Sequence, residues 1–333
     1  MSRIRGIDRN LLALTAIVIV LLPVPLFIST ASQQEIVVRL LLFALFGVAW
    51  NVMGGFAGQF SFGHAAYFGI GAYASSYLLV RHGVSPWVGM AAGALLAAGF
   101  GLLTGFLSFR YRLRGAYFAL ATFAFAELLH LIAMDLGALN ASRGLRVPLA
   151  PDASLANFQF AAGSPAYFYI LLGLVAGALL VTILLMRSRA GTYILAVRDD
   201  EEAAAAAGVN PMRYKLLAVA VSASLTAVAG TFYAQYFFFV DPNLAFGAAV
   251  SVQILLPAIV GGVGTIWGPA IGGLLLGAIA QLTQSLVRSP PGPLSFLEGS
   301  AGLDLMIYGA LLIAIILLLP RGVYGAIQAR VAR

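Results

Sequence analysis

RSRAGTYILAVRDDEEAAAAAGVNPMRYK, residues 187–215, is a polar island between two long apolar runs, and it decides how the chain is read. Asp199, Asp200, Glu201 and Glu202 stand before five consecutive alanines, and Gly208, Asn210 and Pro211 follow. Carboxylates favour the positive end of a helix macrodipole, alanine has the highest helix propensity, and glycine followed by proline ends a helix. The pattern predicts a short helix over 200–207, a rod of roughly 12 Å. Its alanine face is small and smooth, a shape suited to a cleft on another protein. The plainer reading is a solvated connecting helix that touches nothing.

Composition sets the surroundings of that island. Of 333 residues, 61% are hydrophobic and 9% are charged, and cysteine is absent. A soluble domain carries about 25% charged residues, so this chain has too little charge to cover a water-facing surface. Repeated apolar runs of about 20 residues predict an all-α, polytopic integral membrane protein. Without cysteine there is no disulfide and no thiolate metal site. The net charge of +7 has no soluble basic domain to act through, so nucleic acid is not an expected partner and the basic residues are read as topology signals.

Ten candidate spans follow, near 11–31, 36–54, 64–80, 86–108, 115–136, 166–187, 215–239, 246–260, 268–287 and 303–320. Eight or nine remain open, because 246–260 is short and 64–80 is rich in small and polar residues. The amino end is expected to be an uncleaved first span, since 11–31 is longer than a signal-peptide core. Ten spans put both termini on one side. The amino end, the Arg110–Arg112–Arg114 loop, the 187–215 loop and the carboxyl end then share that side with fourteen of the nineteen basic residues. The positive-inside rule makes it the cytoplasm. Arg39, Arg81, Arg143, Arg146 and Arg288 fall opposite, with the longest external segment, 137–165.

Two spans carry polar groups that lipid would not tolerate. GGFAGQFSFGHAAYFGIGAYASSYLLV, residues 54–80, is too glycine-rich for a lipid-facing helix. Such glycines allow close backbone approach or mark a broken helix beside a substrate path. Gln59, Ser61, His64 and Tyr67 are the candidate path residues here; the alternative is a helix seam whose small residues serve packing alone. A lone histidine in this setting is more readily a hydrogen-bonding seam residue than a metal ligand. Glu127 lies near the middle of 115–136, where an exposed charge costs roughly 3 kcal/mol. His130, three residues on, shares its face and is its expected partner. Glu127 is therefore a path candidate or, preferably, an interior clasp.

With these residues in view, Glu202-Ala203-Ala204, three residues and then Gly208 resembles the EAA---G signature of ABC importer permeases. The wider stretch, with Arg198, Asn210, Lys215 and SASLTAVAGTFYA (222–234), resembles branched-chain amino acid permeases of the LivM type. So do Gln59, Ser61 and GHAA in 54–80, Leu113-Arg114-Gly115 with Tyr117-Phe118-Ala119, GGVGTIWGP (261–269) and Leu319-Pro320-Arg321-Gly322. Asn140-Ala141-Ser142-Arg143 stands where the family has a glycine pair. The resemblance runs from about residue 37 to 325.

The resemblance implies a single permease domain over 1–333 in the bacterial cytoplasmic membrane, working by alternating access. The implied partners are a second permease subunit, two ATPase subunits and a periplasmic binding protein. It implies that Arg198, Glu202, Ala203, Ala204, Gly208, Asn210 and Lys215 form the ATPase-coupling loop, with branched-chain amino acids as cargo. The alternatives are another small solute, such as urea, a short amide or an aromatic acid, or an ATP-independent carrier or channel. The chain has no GxxxxGK[ST] phosphate loop, so ATP hydrolysis is expected on a partner. No cofactor, metal site or catalytic group is expected, and the chain is not expected to be an enzyme.

Overall fold

The computed structural model describes residues 2–28, 30–149, 154–161, 163–288, 302–319 and 322–331. Pro151 and Asp152 of the expected external loop, and Pro320 and Arg321 of the closing motif, lie outside them. The described helices are α1 (Ser2–Leu21), α2 (Ala31–Asn51), α3 (His64–His82), α4 (Pro86–Arg110) and α5 (Ala116–Asp135). Then come α6 (Ala166–Arg187), α7 (Arg189–Asp199), α8 (Glu201–Ala206), α9 (Pro211–Phe237) and α10 (Pro242–Phe246). The chain continues with α11 (Ala248–Gly261), α12 (Gly268–Arg288), α13 (Leu303–Leu318) and α14 (Gly322–Val331). The fold is an all-α, polytopic bundle; a two-residue ribbon pairs β1 (Leu145–Arg146) with β2 (Phe239–Val240).

Among the described residues, eight helical stretches are long and apolar enough to cross a membrane. They are Arg9–Phe27, Ala31–Phe56, Pro86–Arg110, Ala116–Asp135, Ala166–Arg187, Pro211–Phe237, Pro242–Gly261 and Gly268–Val287. The expected spans at 64–80 and 303–320 appear as α3 and α13 but are not among the eight. In α13 the apolar stretch is short, Met306–Ile315. Polar and small residues dilute α3, which instead occupies the centre of the bundle, packed on α4 and α9.

Contacts sort the connections to two ends of the bundle. At one end, Trp267 Nε1 donates to Asn10 Oδ1 (3.0 Å), and Arg114 and Lys215 reach Glu201. Asn51 Nδ2 donates to the Thr265 carbonyl (2.8 Å) and its Oδ1 accepts from Gly264 N–H (2.8 Å), closing the predicted glycine turn between α11 and α12. At the other end, Ser85 and Trp87 donate to the Ala156 and Leu155 carbonyls, and β1 pairs with β2. The described residues of 137–165 are therefore at the opposite end from 187–215.

The seam between α3, α4 and α9 shows why this sequence packs as it does. Apolar surface gives helices no reason to associate in lipid, so close approach and interhelical hydrogen bonds carry the load. A methyl group on Gly71 would run into the Ala227 carbonyl, and one on Gly230 into the Phe68 carbonyl. Thr231 Oγ1 donates to the Gly71 carbonyl (2.9 Å), Ser224 Oγ to Ala94 (3.2 Å), and Gln235 Nε2 to Ser75 Oγ (3.3 Å). Each bond of this kind contributes about 0.6 kcal/mol, and their number makes the seam firm.

Candidate functional site

The polar island folds into two helices rather than one. Ser188 caps α7, accepting from Gly191 N–H (3.3 Å), and α7 ends at Asp199. Asp200 is the cap of α8 itself: Oδ1 accepts from Glu202 N–H (3.0 Å) and Ala203 N–H (2.9 Å). At the far end, Val209 N–H returns to the Ala204 carbonyl and Gly208 N–H to Ala205, both at 3.0 Å. This is a Schellman closure with Gly208 in the left-handed position, φ +84°. Nothing among the described residues lies within 4 Å of where a Gly208 side chain would begin. The need for glycine within this chain is thus conformational, and the space beside it is open. Asn210 and Pro211 open α9 rather than ending α8, Asn210 Oδ1 accepting from Arg213 N–H (3.3 Å).

α8 has two faces. Glu202, Ala203, Ala205, Ala206, Ala207 and Gly208 are exposed, whereas Ala204 is buried and seats the helix. Glu201 turns inward to Lys215 Nζ (2.8 Å) and Arg114 Nη2 (3.4 Å). The Lys215 side chain is only 7% exposed, and its ammonium also lies 5.4 Å from the centre of the Phe109 ring. Burial of a lysine is costly unless it is paired, and Glu201 supplies that pair. Arg198 forks onto Asp199 Oδ1 (Nε 3.0 Å, Nη2 2.8 Å) and extends Nη1 to the Gly55 carbonyl (3.5 Å). Its stem lies over Gly58, where a Cβ would stand 2.8 Å from Arg198 Cγ. A cavity of about 200 Å³ between α8, Arg114 and residues 57–60 joins these groups.

Residues 52–63 are thus the inner partner of the loop. Val52–Phe56 continues α2 as a π turn, and 57–63 then runs without helix to His64. His64 Nε2 lies 2.9 Å from Ser222 Oγ, roughly 16 Å along α9 from Pro211. α3 therefore starts deep within the bundle. Irregular backbone at that depth must be satisfied by protein. Trp50 Nε1 donates to the Ser61 carbonyl (3.0 Å), Phe62 N–H to Thr122 Oγ1 (3.2 Å), Gly63 N–H to Ser61 Oγ (3.1 Å) and Ala65 N–H to Ser251 Oγ (3.0 Å). Ser222 Oγ donates to the Ala49 carbonyl (2.7 Å), so it accepts from His64 Nε2–H.

A sequence model of the family described as "branched-chain amino acid transport system / permease component" matches residues 33–316. The chain belongs to this family. Among its curated relatives, this permease is 27% identical over 295 residues to the high-affinity branched-chain amino acid permease protein LivM of Salmonella typhimurium, covering 82% of this chain and 68% of LivM. It is 25% identical over 301 residues to LivH of Escherichia coli, covering 85% and 91%. It is also 28% identical over 225 residues to the L-arabinose permease protein AraH of Azospirillum brasilense, covering 66% and 62%. No solved structure matches it.

The expected coupling residues of this permease come together around α8. The expected path residues separate: Ser61, His64 and Tyr67 are buried inside the seam, while half-buried Gln59 donates to the Ala57 carbonyl (3.1 Å) beside Arg198. Glu127 does find His130, at 3.3 Å, and His130 Nε2 lies 3.1 Å from Asn243 Oδ1. The Glu127 side chain is nevertheless 41% exposed on α5, so its clasp lies at the rim of the permease. Sequence reasoning passed over Glu201 and Arg114 as a pair, and it read Arg39 as a topology signal alone. The available signals were the basic residue opening the predicted span at 215 and a charge inside an otherwise apolar helix.

Proposed function

We propose that this permease is one of two membrane-spanning subunits of an ABC importer for leucine, isoleucine and valine in the bacterial cytoplasmic membrane. In this reading both termini and the 187–215 loop are cytoplasmic, and 137–165 meets a periplasmic binding protein. Two ATPase subunits receive the exposed face of α8 from this permease and its partner. The single observation that carries the proposal is the two-faced α8. Its alanine side and Glu202 are left open, while Glu201 and Arg198 fasten the same loop to 52–63 and α9. A displacement of α8 is then passed to the unwound segment that begins α3, the link an alternating-access cycle needs. Ala203 and Gly208 are contact positions; Arg198, Ala204, Asn210 and Lys215 hold the loop in shape. Gln59 and Glu127 remain path candidates, and the buried Ser61, His64 and Tyr67 act on the path through the seam.

The match to an arabinose permease means that the family fold alone does not set the solute. The longer LivM and LivH matches favour branched-chain amino acids. The test is leucine uptake into proteoliposomes holding both permeases, the ATPases and the binding protein. Uptake that needs ATP and the binding protein supports the proposal; equal uptake without the ATPases would make the permease a stand-alone carrier. Orientation is read separately by labelling Ser142→Cys and Ser188→Cys in spheroplasts, with the first modified and the second spared. The reverse pattern would overturn the docking role.

A further inference from the structure

A second cavity, about 440 Å³, lies in the half of the bundle away from α8. It is bounded by the middle of α2, Phe68 of α3, the last turns of α9, α10 and the start of α11, and α12, with Tyr308 of α13. Its volume is within the range of small-molecule sites, roughly 300–1,000 Å³. Its lining includes an aromatic wall of Phe43, Phe46, Phe68, Tyr233 and Phe237 and polar groups from Arg39, Gln253, Gln281 and Gln284, Arg39 standing against Phe237 itself.

Arg39 is the unexplained member. The apolar span Ala31–Phe56 contains two charged residues, Glu35 and Arg39. An arginine within a membrane helix costs about 2.5–3.5 kcal/mol on insertion scales and is kept where it has a task. Glu35 Oε1 accepts from both Nε (3.0 Å) and Nη2 (2.6 Å), which fixes one edge of the guanidinium. The Phe237 ring, 5.5 Å from the guanidinium carbon, steadies its face. Nη1 makes no hydrogen bond among the described residues. A guanidinium so held presents its remaining edge in the fork geometry that suits a carboxylate. Gln281 and Gln284, one turn apart on α12, bring carbonyl oxygens that can accept from an ammonium group. Glutamine side chains turned to lipid would leave those amides unsatisfied, which gives them a reason to line this cavity.

We propose that this cavity is a binding site for a small zwitterionic α-amino acid, with Arg39 anchoring its carboxylate, the α12 glutamines its ammonium and the aromatic wall its apolar side chain. The proposal rests on the importer reading and adds a site to it. A neutral solute such as urea or a sugar would offer no carboxylate to the edge of Arg39 that Glu35 leaves open.

Because the chain has no cysteine, Ala249→Cys, at an exposed position of the cavity lining that carries no proposed ligand contact, introduces its sole thiol. In the assembled importer in nanodiscs, alkylation of that thiol by a small maleimide is followed with leucine, with leucinamide, which lacks the carboxylate, and with urea. The expected result is a several-fold slowing by leucine and none by the other two. Arg39→Gln should abolish the slowing, and Arg39→Lys should keep part of it, at equal alkylation rates without ligand. Leucine that fails to protect, protection equal from leucinamide, or protection undiminished in Arg39→Gln would each overturn the site. Binding needs no turnover, so this outcome is independent of leucine uptake by the unmodified complex, which tests the importer reading.

Discussion

Two polar clusters hold this permease together, at two depths and with different chemistry. At the end that carries α8, the cluster is ionic: Glu201 with Lys215 and Arg114, and Arg198 with Asp199. Deeper along α9 it is built from hydroxyls, backbone groups and one imidazole: Ser61, Thr122, Ser222, Ser251 and His64. The difference follows the solvent. Near water, Arg114 and Asp199 keep their hydration, while the buried Lys215 is held by its pair with the part-exposed Glu201. At depth, ionisation is costly, and neutral hydrogen bonds satisfy an irregular backbone without that cost. One cluster is therefore suited to coupling and the other to assembly.

Gly71→Leu should break this comparison at its strongest point. Overpacking a close helix contact costs about 1–3 kcal/mol or more, and here the obstacle is the Ala227 backbone, which cannot rotate away. The variant is expected to accumulate in membranes at less than about a tenth of the wild-type level, as overpacking of an unyielding site predicts. Immunoblotting of membrane fractions measures this, and a normal level would show that the seam is not the assembly element.

Lys215→Ala should act on the other cluster with a smaller effect on stability, about 1–2 kcal/mol, since the Glu201 side chain is 30% exposed and recovers water. Membrane levels should stay within about twofold of wild type while uptake drops several-fold, because the pair holds α8 in register rather than the bundle together. Uptake and membrane level that fall in parallel would make the ionic cluster one more assembly element.

The smallest effect is expected at Glu127. Glu127→Gln retains a hydrogen-bonding group beside His130 and should keep more than about half of the uptake, whereas Glu127→Leu should lower assembly by removing that partner. A Gln variant that assembles normally yet transports nothing would move Glu127 from the clasp to the path.

These two clusters also mark how far the sequence could be read. Helical spans, the Glu127–His130 pair and the glycine closure of α8 were legible because each rests on periodicity or on residues a few positions apart. α7 was missed because RAGTYILAVRD has modest apolar content and borrows its stability from α6, α8 and α9. Asn210 and Pro211 were read as a stop, although the same two residues cap and open α9. Glu201 and Glu202 are neighbours in one acidic run, and only tertiary contact with Arg114 and Lys215 turns one inward. The cavity at Arg39 gathers residues from seven helices, from α2 to α13, a grouping no local pattern reveals.

The central claim is that α8 is a docking helix, and Gly208→Val tests it most directly. A β-branched residue in the left-handed conformation costs about 1–2 kcal/mol, and its bulk projects into space that the described residues leave open. The measurement is co-purification of the ATPase subunits, with leucine uptake, for wild type and variant at equal membrane levels. Normal insertion with loss of the bound ATPase and of uptake is the predicted result. Full uptake with the ATPase still bound would mean that α8 is a solvated connection, and the coupling account would fail.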